Sequence, residues 1–206
     1  MLNIEFRGKC DNDEQLIQGK ELPENAVRFN EGETVSEVFK QGMLVSIPIM
    51  LPMIILSILR VSEIAGPIDF DSDFAIAAIT TMILGITSLV VHEFIHAILY
   101  PKEAIKSIWK DSKNNAYFLY CDALVSKRRF IVLSIAPAII LGIVPFIIWY
   151  IVAPIISLEW VVCTMLMIWW MTFDAIGDYA NVFNAIRQVP KNARIFNYGI
   201  HSYWIE

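Results

Sequence analysis

The stretch that decides the fold is residues 74–100, FAIAAITTMILGITSLVVHEFIHAILY. It is apolar and long enough to cross a membrane as a helix, and it contains HEFIH, residues 92–96, the pattern H-E-x-x-H. Residues four apart share one face of a helix, so His92 and His96 can present two imidazole nitrogens to one Zn²⁺. Glu93 is then placed to act as general base on a zinc-bound water. The pattern predicts a zinc hydrolase site at the end of a membrane helix.

The apolar surroundings add weight to the motif. A charged side chain at the centre of a membrane costs about 2.5–3.5 kcal/mol on insertion scales, and an unpaired imidazole in a dry environment is also unfavourable. A bound metal and a water-accessible cavity would offset both costs. The alternative is that the three polar residues lie at the wet membrane interface, next to Tyr100, without a chemical role.

Composition supports membrane spans outside the motif as well. The chain has 206 residues, of which 56% are hydrophobic, and its mean hydropathy is +0.55. Four long apolar runs cover about residues 43–59, 74–100, 130–154 and 160–173. The last run is short, so we expect it to continue through Asp174 and Asp178 on a face hidden from lipid. These runs predict an all-α membrane protein with about four transmembrane helices.

Basic residues predict the topology, because they concentrate in cytoplasmic segments. Five precede the first run, one follows it, seven lie between the second and third runs, none separates the third from the fourth, and three lie in the tail. Both termini and the central loop are therefore expected in the cytoplasm, with the protein in the cell membrane as a multi-pass chain. We expect a cytoplasmic N-terminal segment (1–41), a membrane-embedded domain carrying the motif (42–184) and a cytoplasmic tail (185–206).

Several other classes of protein and site are disfavoured. The net charge is −5, and no basic stretch is interleaved with aromatic residues, which argues against a nucleic-acid partner. Residues 1–41 lack the apolar core of a cleavable signal peptide. Cys10, Cys121 and Cys163 cannot all pair, so no disulfide framework is expected, and Cys163 is interpreted as a small core residue. The acidic stretch 63–73 is interpreted as a solvated turn, with cation binding as the alternative.

The central loop, residues 101–129, carries a strand-like KSIWK, a turn-like DSKNN and an aromatic AYFLYC. This order predicts a small cytoplasmic β-hairpin, which could bind a substrate as an added strand. The alternative is a surface loop whose Trp109, Tyr117 and Tyr120 rest at the lipid headgroups. Residues 22–32, LPENAVRFNEG, are expected to be extended or turn structure, and one or two short strands could lie in residues 1–41.

Zinc hydrolases commonly use three protein ligands and leave one position for water. The residues leave three candidates for the third ligand, namely Asp174, Asp178 and His201. Asp174 and Asp178 lie four apart at the predicted cytoplasmic end of the fourth run, at the same depth as the motif, and Asn181 extends their face. His201 lies in the polar and aromatic tail.

Three stretches resemble a known family. VHEFIHAILY (91–100), RRFIVLSIAPAIILGIVPFI (128–147) and AIGDYANVFNAIRQVPKNA (175–193) are similar to the bacterial membrane family of putative zincin peptidases, formerly a domain of unknown function. The resemblance covers about residues 88–198, and the family is similar in plan to site-2 protease intramembrane metalloproteases. By that analogy, the resemblance implies Asp178 as the third zinc ligand. The chain lacks the Asn-Pro-Asp-Gly-like motif of typical site-2 proteases.

These observations predict a membrane-embedded zinc metalloprotease. We expect Zn²⁺ on His92, His96 and Asp178, Glu93 as the general base, and as substrate a membrane-anchored protein or peptide cleaved near the cytoplasmic face of the bilayer. One alternative is a non-catalytic zinc-binding membrane protein with a regulatory or binding role. Another is a small transporter, which four spans and the lack of an internal repeat disfavour.

Overall fold

The computed structural model describes residues 3–64, 66–68, 70–112 and 117–206. The helices are α1 (Glu14–Ile17), α2 (Val35–Ile64), α3 (Ser72–Leu99), α4 (Lys127–Pro137), α5 (Val144–Val152), α6 (Leu158–Asp174) and α7 (Ile176–Gln188). A π-helical segment (Ala138–Ile143) joins α4 to α5, and a 3-10 turn (Ala153–Ile155) follows α5. The strands are β1 (Ile4–Cys10), β2 (Val27–Arg28), β3 (Lys106–Asp111), β4 (Tyr117–Tyr120), β5 (Val125–Ser126), β6 (Arg194–Tyr198) and β7 (His201–Ile205).

Three helical stretches are long and apolar enough to cross a membrane, namely Ser36–Ile64, Ser72–Leu99 and Lys127–Ile155. A fourth crossing results if α6 and α7, which meet at a bend of 43°, form one span. Most of the apolar surface of these helices faces outward, as on Leu51 and Ile86, which are 50% and 61% exposed. Large exposed apolar surfaces of this kind are typical of helices in contact with lipid. Helical structure continues past Asp174 into α7, after the bend.

Two of the membrane helices, α3 and α4, begin at polar side-chain caps. The Asp71 carboxylate accepts hydrogen bonds from the backbone N–H groups of Asp73 and Phe74, at 2.9 and 3.2 Å. The Ser126 hydroxyl oxygen accepts from Arg129 N at 3.3 Å. Such side chains satisfy N–H groups that have no partner in the first turn of a helix. Asp71 is therefore the N-terminal cap of α3.

The chain is mostly helical, as predicted, but it is not purely all-α, because it also contains two sheets. One has the strand order β1-β3-β4, with β1 parallel and β4 antiparallel to β3. The other has the order β2-β7-β6-β5, and all its pairs are antiparallel. Each sheet joins strands from distant parts of the chain, so no single segment of sequence displays it.

The predicted hairpin is confirmed as the antiparallel pair of β3 and β4, in which Lys110 lies opposite Tyr117. Residues 113–116 of its predicted turn lie outside the described residues, as does Asp69 of the acidic stretch. Trp109 and Tyr120 are 6% and 8% exposed and form a buried cluster with Leu16, so the headgroup alternative is wrong for these two. Tyr117 is 64% exposed.

The two sheets show that three segments of the chain meet at one end of the helices. Strands from residues 4–28, 106–126 and 194–205 pair with one another, so the N-terminal segment, the central loop and the tail lie together. This arrangement agrees with an even number of crossings. The domain limits at residues 41 and 184, and the side of the membrane on which the sheets lie, stay predictions.

Close helix crossings hold the membrane part together. A Cβ added to Gly42 of α2 would lie 2.2 Å from the carbonyl oxygen of Ile176, the first residue of α7. A Cβ on Gly142 would lie 2.6 Å from the Thr172 hydroxyl in α6. Glycine therefore allows α7 to approach α2 two residues before Asp178. Cys163 is buried, as expected, and all three cysteines are free thiols.

Candidate metal centre

The two motif histidines share one face of the last turns of α3 and point into the protein. The side chains of His92 and His96 are 8% and 12% exposed. Their Nε2 atoms lie 3.1 Å apart. The i, i+4 spacing thus produces the convergence that the sequence predicts.

Asp178 completes the cluster from the first turn of α7. Its Oδ2 atom lies 3.1 Å from His92 Nε2, and its Oδ1 atom lies 3.4 Å from His96 Nε2. The side chain is only 11% exposed. Among the described residues, His92, His96 and Asp178 form the group of ligand-type side chains whose atoms approach closely enough to hold a metal.

The second nitrogen of each ring has its own partner. His96 Nδ1 lies 2.8 Å from the carbonyl oxygen of Leu133, and His92 Nδ1 lies 3.3 Å from Asp174 Oδ2. Both partners are acceptors when Asp174 is ionised, so both Nδ1 atoms are assigned the proton. Each neutral ring then presents a bare Nε2 lone pair to the cluster. Metal-binding histidines are typically oriented in this way by carboxylates and carbonyls.

A proline explains why the Leu133 carbonyl is available. In an α-helix this oxygen would accept from the N–H of residue 137, but Pro137 has no N–H. The Leu133 carbonyl oxygen instead lies within hydrogen-bond distance of His96 Nδ1 on α3. The sequence shows Pro137 but not the partner of the Leu133 carbonyl, because that partner lies on another helix.

The donor set fits Zn²⁺. Two Nε2 atoms and a carboxylate converge, and with the protons on both Nδ1 atoms the buried Asp178 Oδ2 has no hydrogen-bond donor among the described residues. Three acceptors facing one another are unfavourable unless a cation lies between them. Ligand atoms about 2.0–2.2 Å from a tetrahedral Zn²⁺ lie about 3.3–3.6 Å apart. The two Nε2 atoms lie 3.1 Å apart, and each has one oxygen of Asp178 near it, Oδ2 at 3.1 Å from His92 and Oδ1 at 3.4 Å from His96. Nitrogen and carboxylate ligands are those zinc uses in hydrolases.

The structure separates the three candidates for the third ligand by position. Asp178 faces both Nε2 atoms, whereas Asp174 contacts His92 on the opposite side of the ring. His201 lies in β7 beside Glu31, 3.3 Å from its Oε1, and within 3.1 Å of Arg28 Nη2. His201 is therefore outside the cluster. The role of Asp178 as a ligand remains a prediction.

Glu93 lies beside the histidines and reaches the edge of the hairpin. Its Oε2 atom accepts a hydrogen bond from Leu119 N at 2.8 Å. Leu119 is in β4, the last strand of its sheet among the described residues. The carboxylate is thus fixed between the helix that carries the motif and a strand edge.

A cavity of about 260 Å³ surrounds these groups. It is lined by His92, Glu93, His96, Tyr100, Phe118, Leu119, Phe130, Leu133, Ser134, Asp174, Gly177, Asp178, Asn181 and Asn197. Burial raises the pKa of the Tyr100 hydroxyl above its usual value, so it keeps its proton. Its oxygen accepts from Asn197 Nδ2 at 3.4 Å.

Sequence reasoning did not identify Tyr100, Leu119 or Asn197 as part of the site. Tyr100 could have been predicted, since it follows His96 by four residues and lies on the same face of the helix. No local pattern indicates the Leu119 N–H or Asn197, because strand pairing between distant segments brings them to the cavity.

Apolar helices around a His–His–Asp cluster, with a glutamate in the same cavity, define a helical membrane protein with a candidate zinc centre. The model of the family described as putative zincin peptidase matches residues 85–194, more than half of the chain, and the protein belongs to that family. No curated protein and no solved structure matches the chain significantly.

Proposed function

We propose that the protein is a membrane-embedded zinc metalloprotease that hydrolyses a peptide bond of a membrane-associated protein near the cytoplasmic face. One observation carries the proposal. Three ligand-type side chains, His92, His96 and Asp178, converge within 3.1–3.4 Å in a cavity that also contains Glu93. Membership of the putative zincin peptidase family supports the same chemistry.

Zn²⁺ bound by His92, His96 and Asp178 would supply Lewis acidity, polarising the substrate carbonyl and lowering the pKa of a water molecule. Glu93 accepts a proton as the water oxygen adds to the carbonyl carbon of the scissile bond. The C–N bond then breaks, and Glu93 returns the proton to the leaving amine. Tyr100 keeps its hydroxyl proton and can donate to the oxygen on which negative charge develops.

The edge of β4 offers a place for the substrate backbone. In an antiparallel strand, alternate residues direct N–H and C=O to the same edge. Leu119 N donates to Glu93, so the edge of β4 at Leu119 faces the cavity. An extended peptide that pairs with this edge would place its backbone beside the metal centre. The substrate would then bind as a strand added to the hairpin.

The test compares the wild-type protein with Glu93→Gln. Glutamine can still accept from Leu119 N but cannot act as a base, so we expect cleavage to fall by about 10²–10⁴-fold while the zinc content stays the same. New N-termini in membranes from expressing cells are quantified by mass spectrometry. Glu103→Gln, at an exposed glutamate just past α3, is the matched control. Wild-type cleavage by Glu93→Gln would contradict the proposed mechanism.

The bond between Glu93 and Leu119 also suits a second candidate, a non-catalytic zinc-binding membrane protein with a regulatory or binding role. In that case Glu93 is a tether that holds the hairpin against α3. Glu93→Ala would then impair the biological activity by releasing the hairpin, and Glu93→Gln would keep it. The protease proposal expects both variants to be inactive.

A further inference from the structure

A second groove, distinct from the metal centre, lies where α3 ends and α4 begins. Its volume is about 340 Å³. It is lined by Ile98, Leu99, Ser126, Arg128, Arg129 and Val132. These residues belong to the ends of two stretches that are apolar enough to cross a membrane, Ser72–Leu99 and Lys127–Ile155, or directly precede one. The groove therefore lies at the boundary between the apolar helices and the sheets.

Within the described residues, the hydrogen-bond donors of the groove have no acidic partners. Within the described part of the chain, the exposed guanidinium of Arg128 has no hydrogen bond or ion pair. Arg129 uses only Nε, which donates to the Leu99 carbonyl oxygen at 2.7 Å, so its terminal nitrogens are available. The Ser126 hydroxyl accepts from Arg129 N and keeps its own proton to donate.

Further positive charge lies close to these arginines. Arg194 is opposite Ser126 in the β5–β6 pair, and its Nη2 atom donates to the Leu124 carbonyl oxygen at 2.9 Å. That bond is to a neutral acceptor, so it leaves the charge of Arg194 uncompensated. The guanidinium groups of Arg128 and Arg129 line the groove, and Arg194 lies on the strand next to Ser126, so the charge on this side of the groove is complementary to an anion.

The opposite part of the groove is apolar and open. Ile98 of α3 is 59% exposed, and Val132 of α4 is 46% exposed. Both lie within a turn or two of the end of their helix, on the side where the membrane begins. A small soluble anion would leave these side chains uncovered, whereas a ligand with a phosphate and a hydrocarbon chain would use both parts of the groove.

We propose that this groove, the arginine groove, binds an anionic phospholipid. The phosphate lies against Arg128, Arg129 and the Ser126 hydroxyl, and an acyl chain lies along Ile98 and Val132. Planar guanidinium groups bind phosphate oxygens in pairs, and basic pockets between membrane helices are suited to anionic headgroups. A bound lipid would contact α3 and α4 together, one turn from His96.

The experiment titrates the delipidated, full-length protein in detergent with phosphatidylglycerol or with phosphatidylcholine of the same acyl chains. Native mass spectrometry counts the bound lipids. Arg128→Gln is the first variant, because this side chain has no partner in the described structure to lose. Arg128→Gln/Arg129→Gln is the second. Arg187→Gln/Lys191→Gln, with the same loss of charge at exposed positions in α7 and just after it, is the control.

We expect one tightly bound phosphatidylglycerol per wild-type chain. The affinity for this lipid should fall by about fivefold in the single variant and further in the double variant. The control should bind as the wild type does, and all proteins should elute as the same folded species. Equal binding by wild type and double variant, or equal affinity for phosphatidylcholine, would overturn the proposal. So would complete displacement of the lipid by millimolar inorganic phosphate, since the site would then select a phosphate alone.

Discussion

At the scale of single residues, Asp174 and Asp178 contact opposite sides of the same imidazole ring. Asp178 lies 3.1 Å from His92 Nε2, and Asp174 lies 3.3 Å from His92 Nδ1. The first position suits a metal ligand, and the second suits a group that orients the ring and makes it more basic. The two carboxylates should therefore contribute unequally to zinc binding.

Replacing Asp174 should weaken zinc binding without abolishing it. Asp174→Ala removes the acceptor on His92 Nδ1, and loss of such a partner typically lowers metal affinity by about 10–100-fold. Asp174→Asn keeps an oxygen acceptor and should lose less. The measurement is the zinc dissociation constant, by competition with a chromophoric chelator. Unchanged affinity in Asp174→Ala would contradict the positioning role, and loss of all zinc would make Asp174 a ligand.

At this scale, the sequence predicted the motif residues of the site but could not decide the third ligand. H-E-x-x-H placed His92, Glu93 and His96 correctly on one helix, because their relation is local. The choice among Asp174, Asp178 and His201 depended on the rotation of α7 after a 43° bend. No local pattern encodes that rotation, and only the family resemblance pointed to Asp178.

At the scale of elements, the break in α4 supports the metal centre. Pro137 lacks the N–H that would engage the Leu133 carbonyl, and a π-helical segment follows from Ala138. The carbonyl instead lies 2.8 Å from His96 Nδ1. A feature that weakens one helix therefore orients a histidine of another.

Pro137→Ala should lower the zinc affinity. The new N–H of residue 137 would compete with His96 Nδ1 for the Leu133 carbonyl, so we expect a loss of up to about tenfold. Pro145→Ala, at another proline of this stretch, is the matched control and should bind zinc like the wild type. The same chelator competition measures both. Equal affinities of Pro137→Ala and the wild type would show that the freed carbonyl does not orient His96.

Helices and the hairpin were predictable from sequence, whereas the pairing between strands of distant segments was not. Apolar runs of about 20 residues identify membrane helices by length alone. The hairpin was visible because β3 and β4 are neighbours separated by turn-forming residues. By contrast, β2 and β5 have two residues each and acquire their strand conformation only by pairing with β7 and β6.

At the scale of the whole molecule, the sheets tie the N-terminal segment, the central loop and the tail to one end of the helices. The distribution of the 16 basic residues predicts that this end is cytoplasmic. The structure thus supports the even number of crossings, and the charges supply the orientation. Neither observation alone gives both the number of crossings and their orientation.

Cysteine labelling in intact cells tests this orientation. In a background without Cys10, Cys121 and Cys163, Glu63→Cys should react with a membrane-impermeant maleimide added outside. Lys191→Cys should react only after the membrane is permeabilised, because the tail is cytoplasmic. The reverse pattern would invert the topology. Labelling of both sites from outside would contradict an even number of crossings.

The central claim is that His92, His96 and Asp178 together hold one zinc ion. The most direct measurement is the zinc content per chain of detergent-purified protein, prepared without chelators, for the wild type and Asp178→Ala. The account predicts about one zinc per wild-type chain and a loss of that zinc in the variant, with both proteins folded. A wild type without zinc, or a variant that keeps its zinc, would contradict it.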